Sequence, residues 1–239
     1  TKPELFMLDF LSNYQWDRPL NLLNEGGDLN IGIKDFLMFE GYSHKFVPFR
    51  LKSSSTDPGP VDTDRLYDLM TNVFKWDALS RDDYFVDYQN LYTHLGVMSQ
   101  RNLFVNAAKA FLKAGENDRA LEMLDKCQRV LNEKDYPLET ICLGFSGNDY
   151  MVIEMIASYY MLGETEKARV LASDLFNELL VSSRFYLEFY EYSRSEFESC
   201  GSYVYHLIDV LNKVGDTELA DKLDANFSAL LEFVGGTES

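Results

Sequence analysis

Few residues in this chain combine a reactive side chain with a neighbour at the spacing that chemistry requires. The three histidines are His44, His94 and His206, and none has a cysteine or carboxylate at metal-ligand spacing. We therefore interpret each as a packed or surface imidazole rather than as a ligand or a general base. The adjacent carboxylates Asp82 and Asp83 come nearest to a general acid–base pair. Neighbouring residues on an exposed turn seldom converge on one substrate, so we interpret them as turn residues.

The cysteines and serines add no catalytic pattern. Cys127, Cys142 and Cys200 are odd in number and widely spaced, without a Cys-x-x-Cys pair, which favours free and mostly buried thiols. The sequence has no nucleophile elbow and no ordered set of serine, histidine and aspartate. We therefore predict no catalytic residue, no metal site and no cofactor, and we expect that this chain is not itself an enzyme.

One glycine loop invites comparison with a phosphate-binding loop. Four residues separate Gly27 from Gly32, and the loop lies between a predicted strand and a predicted helix. A P-loop requires a lysine where this chain has Ile33, and Asp28 would repel a phosphate group. We interpret the loop as an ordinary connection between two elements.

The composition restricts the kind of partner. Acidic side chains number 39 against 22 basic ones, which gives a net charge of −17 and disfavours nucleic acid and anionic membrane surfaces. The 239 residues are 46% hydrophobic, enough for a sizeable core, but they contain no apolar run that could span a bilayer. The chain begins with Thr1 rather than methionine, so we expect a mature product or a fragment of a longer protein.

Residues 1–60 predict a small α/β unit, followed by a helical domain over residues 61–239. Two strands cannot form a stable sheet alone, so we expect this unit to complete a sheet with upstream residues or to pack on downstream helices. Its predicted elements are a helix near residues 5–11, a strand at 20–23, a helix over 31–39 that Gly41 ends, and a strand over 42–50.

Residues 61–239 predict one helix after another. A helix over residues 64–76, capped by Thr63 or Asp62, and a stretch over 88–98 lead to a pattern that occurs three times. Each copy has a glycine five residues before an alanine, with a capping residue and an acid between them. The copies run from Gly115 to Ala120, from Gly163 to Ala168 and from Gly215 to Ala220, with Asn117, Thr165 and Thr217 as the predicted N-caps.

The repeated pattern predicts helical hairpins. Glycine adopts the left-handed conformation that ends a first helix, the capping residue starts a second, and alanine lets the two approach closely. This resembles the tetratricopeptide repeat, although the alanines are 48 and 52 residues apart and that repeat has about 34 residues. We therefore predict a mainly α fold in which an irregular, tetratricopeptide-like hairpin array follows the small α/β unit.

Two candidate surfaces follow from the helical pattern. The aromatic stretch over residues 185–192 favours either a surface for sugar rings or peptides, or a long helix that buries Phe185 and Phe189. If the array has a groove, first-helix side chains away from the pairing seam should line it and bind a partner. By spacing, these groove residues are Asn102, Lys109, Tyr150, Tyr160, Ser202, Tyr205 and Asp209.

Several strings in the first hundred residues also carry a resemblance to one family. They are Leu8 to Leu11, Trp16 to Pro19, Gly32 with Phe36 and Leu37, Glu40 to Tyr42, Val47-Pro48, Val61 to Thr63, Asn72 to Trp76, Val86 to Tyr88, and Arg101. In this order they resemble the soluble C-terminal region of a membrane-protein family common in Bacteroidetes. The N-terminal half of that family spans the membrane several times and is similar to protein O-mannosyltransferases. The likeness weakens after about residue 180, and residues 20–23 lack the aromatic strand expected there.

The resemblance implies a function that the residues alone do not. The parent would be a glycosyltransferase of the bacterial inner membrane that uses a polyprenyl-phosphate sugar, with its catalytic acids in the membrane half. This chain would then be a non-catalytic periplasmic domain that presents an acceptor protein, a glycoprotein or another partner. The alternative is a free-standing adaptor or glycan-binding protein with tetratricopeptide-like helices. A soluble enzyme is a third possibility, but no residue pattern favours it.

Overall fold

The computed structural model describes residues 2–23, 31–51, 59–87, 96–141 and 148–235. These residues are predominantly helical, with a small three-stranded antiparallel sheet near the N-terminus, which confirms the predicted fold class. The glycine loop, His94, Cys142 and most of the stretch over 88–98 lie outside the described residues. The helices are α1 (Lys2–Asn13), α2 (Thr63–Asp68), α3 (Gln100–Ala114), α4 (Asn117–Val130), α5 (Asn148–Met161), α6 (Thr165–Glu188), α7 (Tyr190–Val214) and α8 (Thr217–Gly235).

The sheet contains a strand that the sequence analysis assigned to a helix. β1 (Leu20–Leu22) and β2 (Leu37–Phe39) pair on either side of β3 (His44–Phe46), all antiparallel. The predicted helix over 31–39 is therefore wrong: a single 3-10 turn, Ile33–Phe36, precedes β2. The reason is that Leu37 and Phe39 are buried and alternate with Met38, the period of a strand.

The sheet packs on its own small core. Ile33, Leu37 and Phe46 are buried together, and Leu11 of α1 packs against them. Gly41 has the left-handed conformation (φ 83°) that the prediction required, but it lies in the β2–β3 turn instead of at a helix end. The third strand of the sheet thus comes from within residues 1–60.

Helix α2 is shorter than predicted. The Asp62 carboxylate accepts a hydrogen bond from the Arg65 backbone N–H at 3.0 Å, so Asp62 is the N-cap. A π-helical turn, Leu69–Val73, follows and ends three residues before the predicted end at residue 76.

The chain divides into two compact units, and the predicted boundary at residue 60 stays a prediction. The first unit is Thr1–Lys75 with Asn106–Ala120, and the second is Trp76–Val105 with Leu121–Ser239. In the first unit, α2 packs on the turn between α3 and α4: the Thr63 hydroxyl donates to Glu116 at 2.7 Å. The Arg119 guanidinium also lies over the Tyr67 ring, 4.6 Å from its centroid.

The second unit contains the helices α5 to α8 and the non-helical residues 131–141. α6 packs against α5, α7 and α8, while α7 also packs on α5 and α8. The excess length between repeats has two sources. One is the non-helical segment 131–141, and the other is the length of α6 and α7, which have 24 and 25 residues.

The three glycine turns share one geometry. Gly115, Gly163 and Gly215 have φ of 78°, 80° and 89°, which confirms the predicted left-handed helix ends. The glycine N–H bonds the carbonyl three residues back, and the next N–H bonds the carbonyl five back, which is the Schellman motif. The alanines Ala120, Ala168 and Ala220 and the large apolar residues Phe111, Tyr159 and Leu211 are all fully buried.

The caps of the second helices are one residue earlier than predicted. α4, α6 and α8 begin at the residues that we expected to be N-caps, so the cap position falls on the acid after each glycine. The carbonyls of Glu116, Glu164 and Asp216 accept the bond from the repeat alanine. The Asp216 carboxylate also accepts weakly from the Leu219 N–H at 3.4 Å. In each of the three turns, the acid after the glycine therefore both completes the glycine turn and caps the second helix.

Candidate partner-binding surfaces

The described residues offer little for catalysis. They contain no cluster of three or more histidine, cysteine or acidic side chains that could hold a metal ion. Cys127 and Cys200 are free and buried, and burial raises the pKa of the Cys127 thiol to about 12, so it stays protonated. Asp83 is bound by the Arg81 guanidinium, whose hydrogen bond lowers the pKa of that carboxyl. Asp82 and Asp83 lie in a turn, as the sequence analysis predicted.

A buried carboxylate joins the second and third hairpins. Asp216 accepts two hydrogen bonds from the Arg169 guanidinium, at 2.6 and 2.7 Å, and one from the Tyr160 hydroxyl at 2.6 Å. The bond from Arg169 is the main reason that the pKa of Asp216 falls to about 2. The Tyr160 hydroxyl therefore helps to position two hairpins, and the predicted role of Tyr160 in binding a partner stays a prediction.

A similar contact joins α4 to the second hairpin. The Asp125 carboxylate accepts from the Tyr159 hydroxyl at 3.0 Å and from the Lys167 ammonium at 2.8 Å. Burial and the charge of Asp125 raise the pKa of Tyr159, so this hydroxyl stays a donor. The two tyrosines are adjacent in α5, and each donates to a carboxylate of a different neighbouring helix or turn.

Other predicted groove residues keep exposed surface. The Tyr150 ring of α5 stacks on His206 of α7, with centroids 5.1 Å apart, and stays 41% exposed. Tyr205 is 51% exposed, with its ring edge-on to Phe227 of α8. Ser202 and Asp209 are also exposed on α7, and Asp209 accepts from Lys213 at 2.6 Å. Their role in binding stays a prediction.

The two predicted groove residues on α3 lie in different units. Asn102 belongs to the second unit, and Lys109 to the first. Both are half-buried. The Asn102 Oδ1 atom is buried and has no hydrogen-bond partner among the described residues.

Two phenylalanines of the aromatic stretch are exposed, although one alternative from the sequence was a helix that buries them. Phe185 and Phe189 are 57% and 50% exposed, so the interpretation that they are buried is wrong. The buried ring is Tyr186, at 5% exposure, because the covered face of α6 runs through Leu179, Ser183 and Tyr186. Val181, Phe185 and Phe189 recur every four residues and define an exposed apolar row that we call the α6 ridge.

The α6 ridge ends at the turn between the two longest helices. Phe189 and Ser193 have non-helical backbone angles, with φ of −118° and −127°. The Ser193 hydroxyl donates to the carbonyls of Tyr186, in the last turn of α6, and Phe189 at 2.9 and 2.8 Å. The phenylalanine rings at 185 and 189 touch, with centroids 5.2 Å apart. The ridge is thus an ordered surface, held by the turn beside it.

The sheet, its core and the start of α2 lie in the part of the chain that matches a family model. Residues 1–65 match the family TMEM260-associated domain 2. TMEM260 is a protein O-mannosyltransferase-like protein, so these residues are linked to a glycosyltransferase-like protein. The predicted resemblance is confirmed to that extent, while the Bacteroidetes source and the tetratricopeptide likeness stay predictions. Neither the curated proteins nor the solved structures include a significant match.

Within the described residues, every helix is either too short or too polar to cross a bilayer.

Proposed function

We propose that this chain is a non-catalytic domain of a membrane-bound, O-mannosyltransferase-like glycosyltransferase, and that it presents an acceptor protein or another partner on the periplasmic side. The single observation that carries the proposal is the match of residues 1–65 to TMEM260-associated domain 2. The hairpin array supports it, because stacked hairpins expose long continuous faces that suit an extended partner.

The α6 ridge is the surface best suited to that partner. It presents two touching aromatic rings and a valine to solvent, along the end of α6 and the residue that caps it. Aromatic side chains are enriched at the centre of protein interfaces because they bury a large area with few rotatable bonds. The partner therefore supplies apolar side chains, as a peptide or protein surface does. The exposed rings of Tyr150 and Tyr205 define a second face, the one predicted from the sequence.

The reading frame upstream of residue 1 tests the proposal most directly. The gene should encode several membrane-spanning helices before this sequence, continuous with it. A native start codon or a lipoprotein signal immediately upstream would reject the glycosyltransferase assignment.

Site-specific crosslinking tests which surface holds the partner. In cells that make the full-length parent, a photoreactive residue at position 181 should capture proteins that carry the O-linked sugar. The double variant Phe185→Ala/Phe189→Ala should reduce that capture severalfold. The variant Tyr150→Ala/Tyr205→Ala should reduce it only if the partner binds the groove residues instead. Phe49→Ala, which removes an exposed ring from the first unit, is the matched control. Equal capture by both double variants and the control would remove both surfaces from the proposal.

A further inference from the structure

A cleft of about 450 Å³ in the second unit has no role in the function proposed above. Two segments line it, residues 81–86 and residues 134–136. Its volume falls within the range of small-molecule sites, about 300–1,000 Å³. The cleft does not include the α6 ridge or the exposed tyrosines of the groove.

The cleft is held in shape by buried contacts. Arg101, only 2% exposed, donates to the carbonyls of Tyr136 and Pro137 at 3.0 Å each. The Tyr136 hydroxyl donates to the Leu79 carbonyl at 2.8 Å, which ties residue 136 to the segment that leads into residues 81–86. Three hydrogen bonds thus fix residues 136 and 137, which preforms this side of the cleft for a ligand.

The charges that line the cleft do not favour an anion. Arg81 and Lys134 are the cations, but Arg81 is already paired with Asp83 through two hydrogen bonds, at 2.7 and 2.5 Å. The carboxylates Asp82 and Asp135 also line the cleft and would repel a phosphate or sulfate group. Lys134 is thus the one lining cation without an ion pair among the described residues, and two acids oppose it.

The rings and polar groups suit a neutral ligand rich in hydroxyl groups. Phe85 is 85% exposed and Tyr84 is 45% exposed, so both offer ring surface to a ligand, while Tyr136 is buried beneath. A sugar ring has apolar C–H faces that pack on aromatic rings and hydroxyls that both donate and accept. Asp82 and Asp135 can accept from those hydroxyls, and Lys134 can donate to them.

We propose that this cleft binds a neutral glycan of one or two hexose units through Tyr84 and Phe85. This inference deepens the proposed function, on which it rests for the choice of a mannoside as first probe. It gives the domain a way to hold the sugar part of a glycoprotein partner.

Ligand titration of the whole chain tests the inference. Methyl α-mannopyranoside, the methyl glycosides of glucose and galactose, and α-mannobiose are titrated and followed by NMR of the protein. At least one should bind with a dissociation constant on the order of 1 mM or tighter, as expected for a small ligand with few contacts. Tyr84→Ala/Phe85→Ala should weaken that binding at least about tenfold. Tyr192→Ala, an exposed ring outside the cleft, should leave it unchanged.

Three outcomes would overturn the inference. The first is no binding of any neutral glycoside up to about 100 mM, roughly a hundredfold above the expected constant. The second is binding that the double variant retains. The third is that inorganic phosphate binds more tightly than every glycoside and is lost in Lys134→Met, which identifies an anion site. The crosslinking experiment is independent of all three, because it reports on the α6 ridge and the groove, so either proposal can fail alone.

Discussion

At the scale of single residues, charge placement decides which side chains hold the helices together. Asp216 is 8% exposed and is surrounded by donors from α5 and α6. Asp209 also pairs with a cation, but it does so on the surface of α7, where solvent screens the interaction. Two aspartates of one hairpin therefore have different roles, and their substitutions should differ in the same way.

Asp216→Asn should lower the free energy of unfolding by about 1–2 kcal/mol at pH 7, after allowance for solvent screening. The pKa of Asp216 lies below its usual 3.8, at about 2, so its contribution is present above pH 4. It is lost as the pH falls through about 2. Urea titrations of both proteins between pH 2 and pH 7 measure this difference. A difference that stays constant across that range would contradict the assignment.

The matched control is Asp209→Asn, which removes an exposed carboxylate from an i,i+4 pair with Lys213. Its cost should be below about 0.5 kcal/mol at pH 7. A cost equal to that of Asp216→Asn would mean that burial and the bonds from Arg169 and Tyr160 add nothing.

Arg101 makes a second prediction at this scale. Arg101→Met should lower the free energy of unfolding by about 2–4 kcal/mol, because two buried carbonyls lose their donor. Arg65→Met is the control, since Arg65 pairs with Asp68 on the surface of α2 and should cost less than about 0.5 kcal/mol. Thermal or chemical denaturation followed by circular dichroism measures both. Equal stability of Arg101→Met and the native protein would remove Arg101 as the anchor of residues 136 and 137.

At the scale of elements, substitutions of two glycines distinguish the cost of backbone strain from the effect of side-chain packing. Gly163 has a φ of 80° and no neighbour within 4 Å of the position a Cβ would take, so only its conformation resists substitution. Gly163→Ala should therefore cost about 1 kcal/mol. Gly201, inside α7, would place a Cβ 3.7 Å from the Phe227 ring, an ordinary contact. Gly201→Ala should stabilise the protein by about 0.5–1 kcal/mol through helix propensity.

Denaturant titrations of the two glycine variants give the sign of each change. Opposite signs are expected. If Gly163→Ala is neutral, the turn adopts another conformation in solution, and if Gly201→Ala destabilises, the α7–α8 contact is tighter than 3.7 Å implies.

The sequence predicted best where the determining interactions are local. The glycine turns involve residues within six positions, and all three were predicted, although the cap was placed one residue late. β2 was missed because Leu37–Phe39 is short and its strand identity depends on pairing with β3. The exposure of Phe185 was left open for a similar reason: spacing shows that it shares a face with Phe189, but not which face of α6 another helix covers. Tyr160 and Asp216 are 56 positions apart, so no local pattern connects them.

At the scale of the whole molecule, net charge and the exposed α6 ridge have opposite effects on self-association of the chain. A charge of −17 keeps copies of the chain apart at low ionic strength, while touching exposed rings favour association. The Debye length falls from about 10 Å in 0.1 M salt to about 3 Å in 1 M salt, so added salt removes the repulsion and leaves the apolar attraction.

Raising sodium chloride from 0.1 M to 1 M should therefore increase self-association of the chain, measured as weight-average mass by sedimentation equilibrium. Phe185→Ser/Phe189→Ser should suppress that increase while leaving the free energy of unfolding within about 0.5 kcal/mol, because both rings are half or more exposed. The control Phe49→Ser removes a ring of similar exposure, 60%, and should associate like the native chain. If the double variant associates as strongly as the native protein, the α6 ridge is not the apolar surface through which copies of the chain associate. That result would also weaken the proposal that the ridge binds the partner.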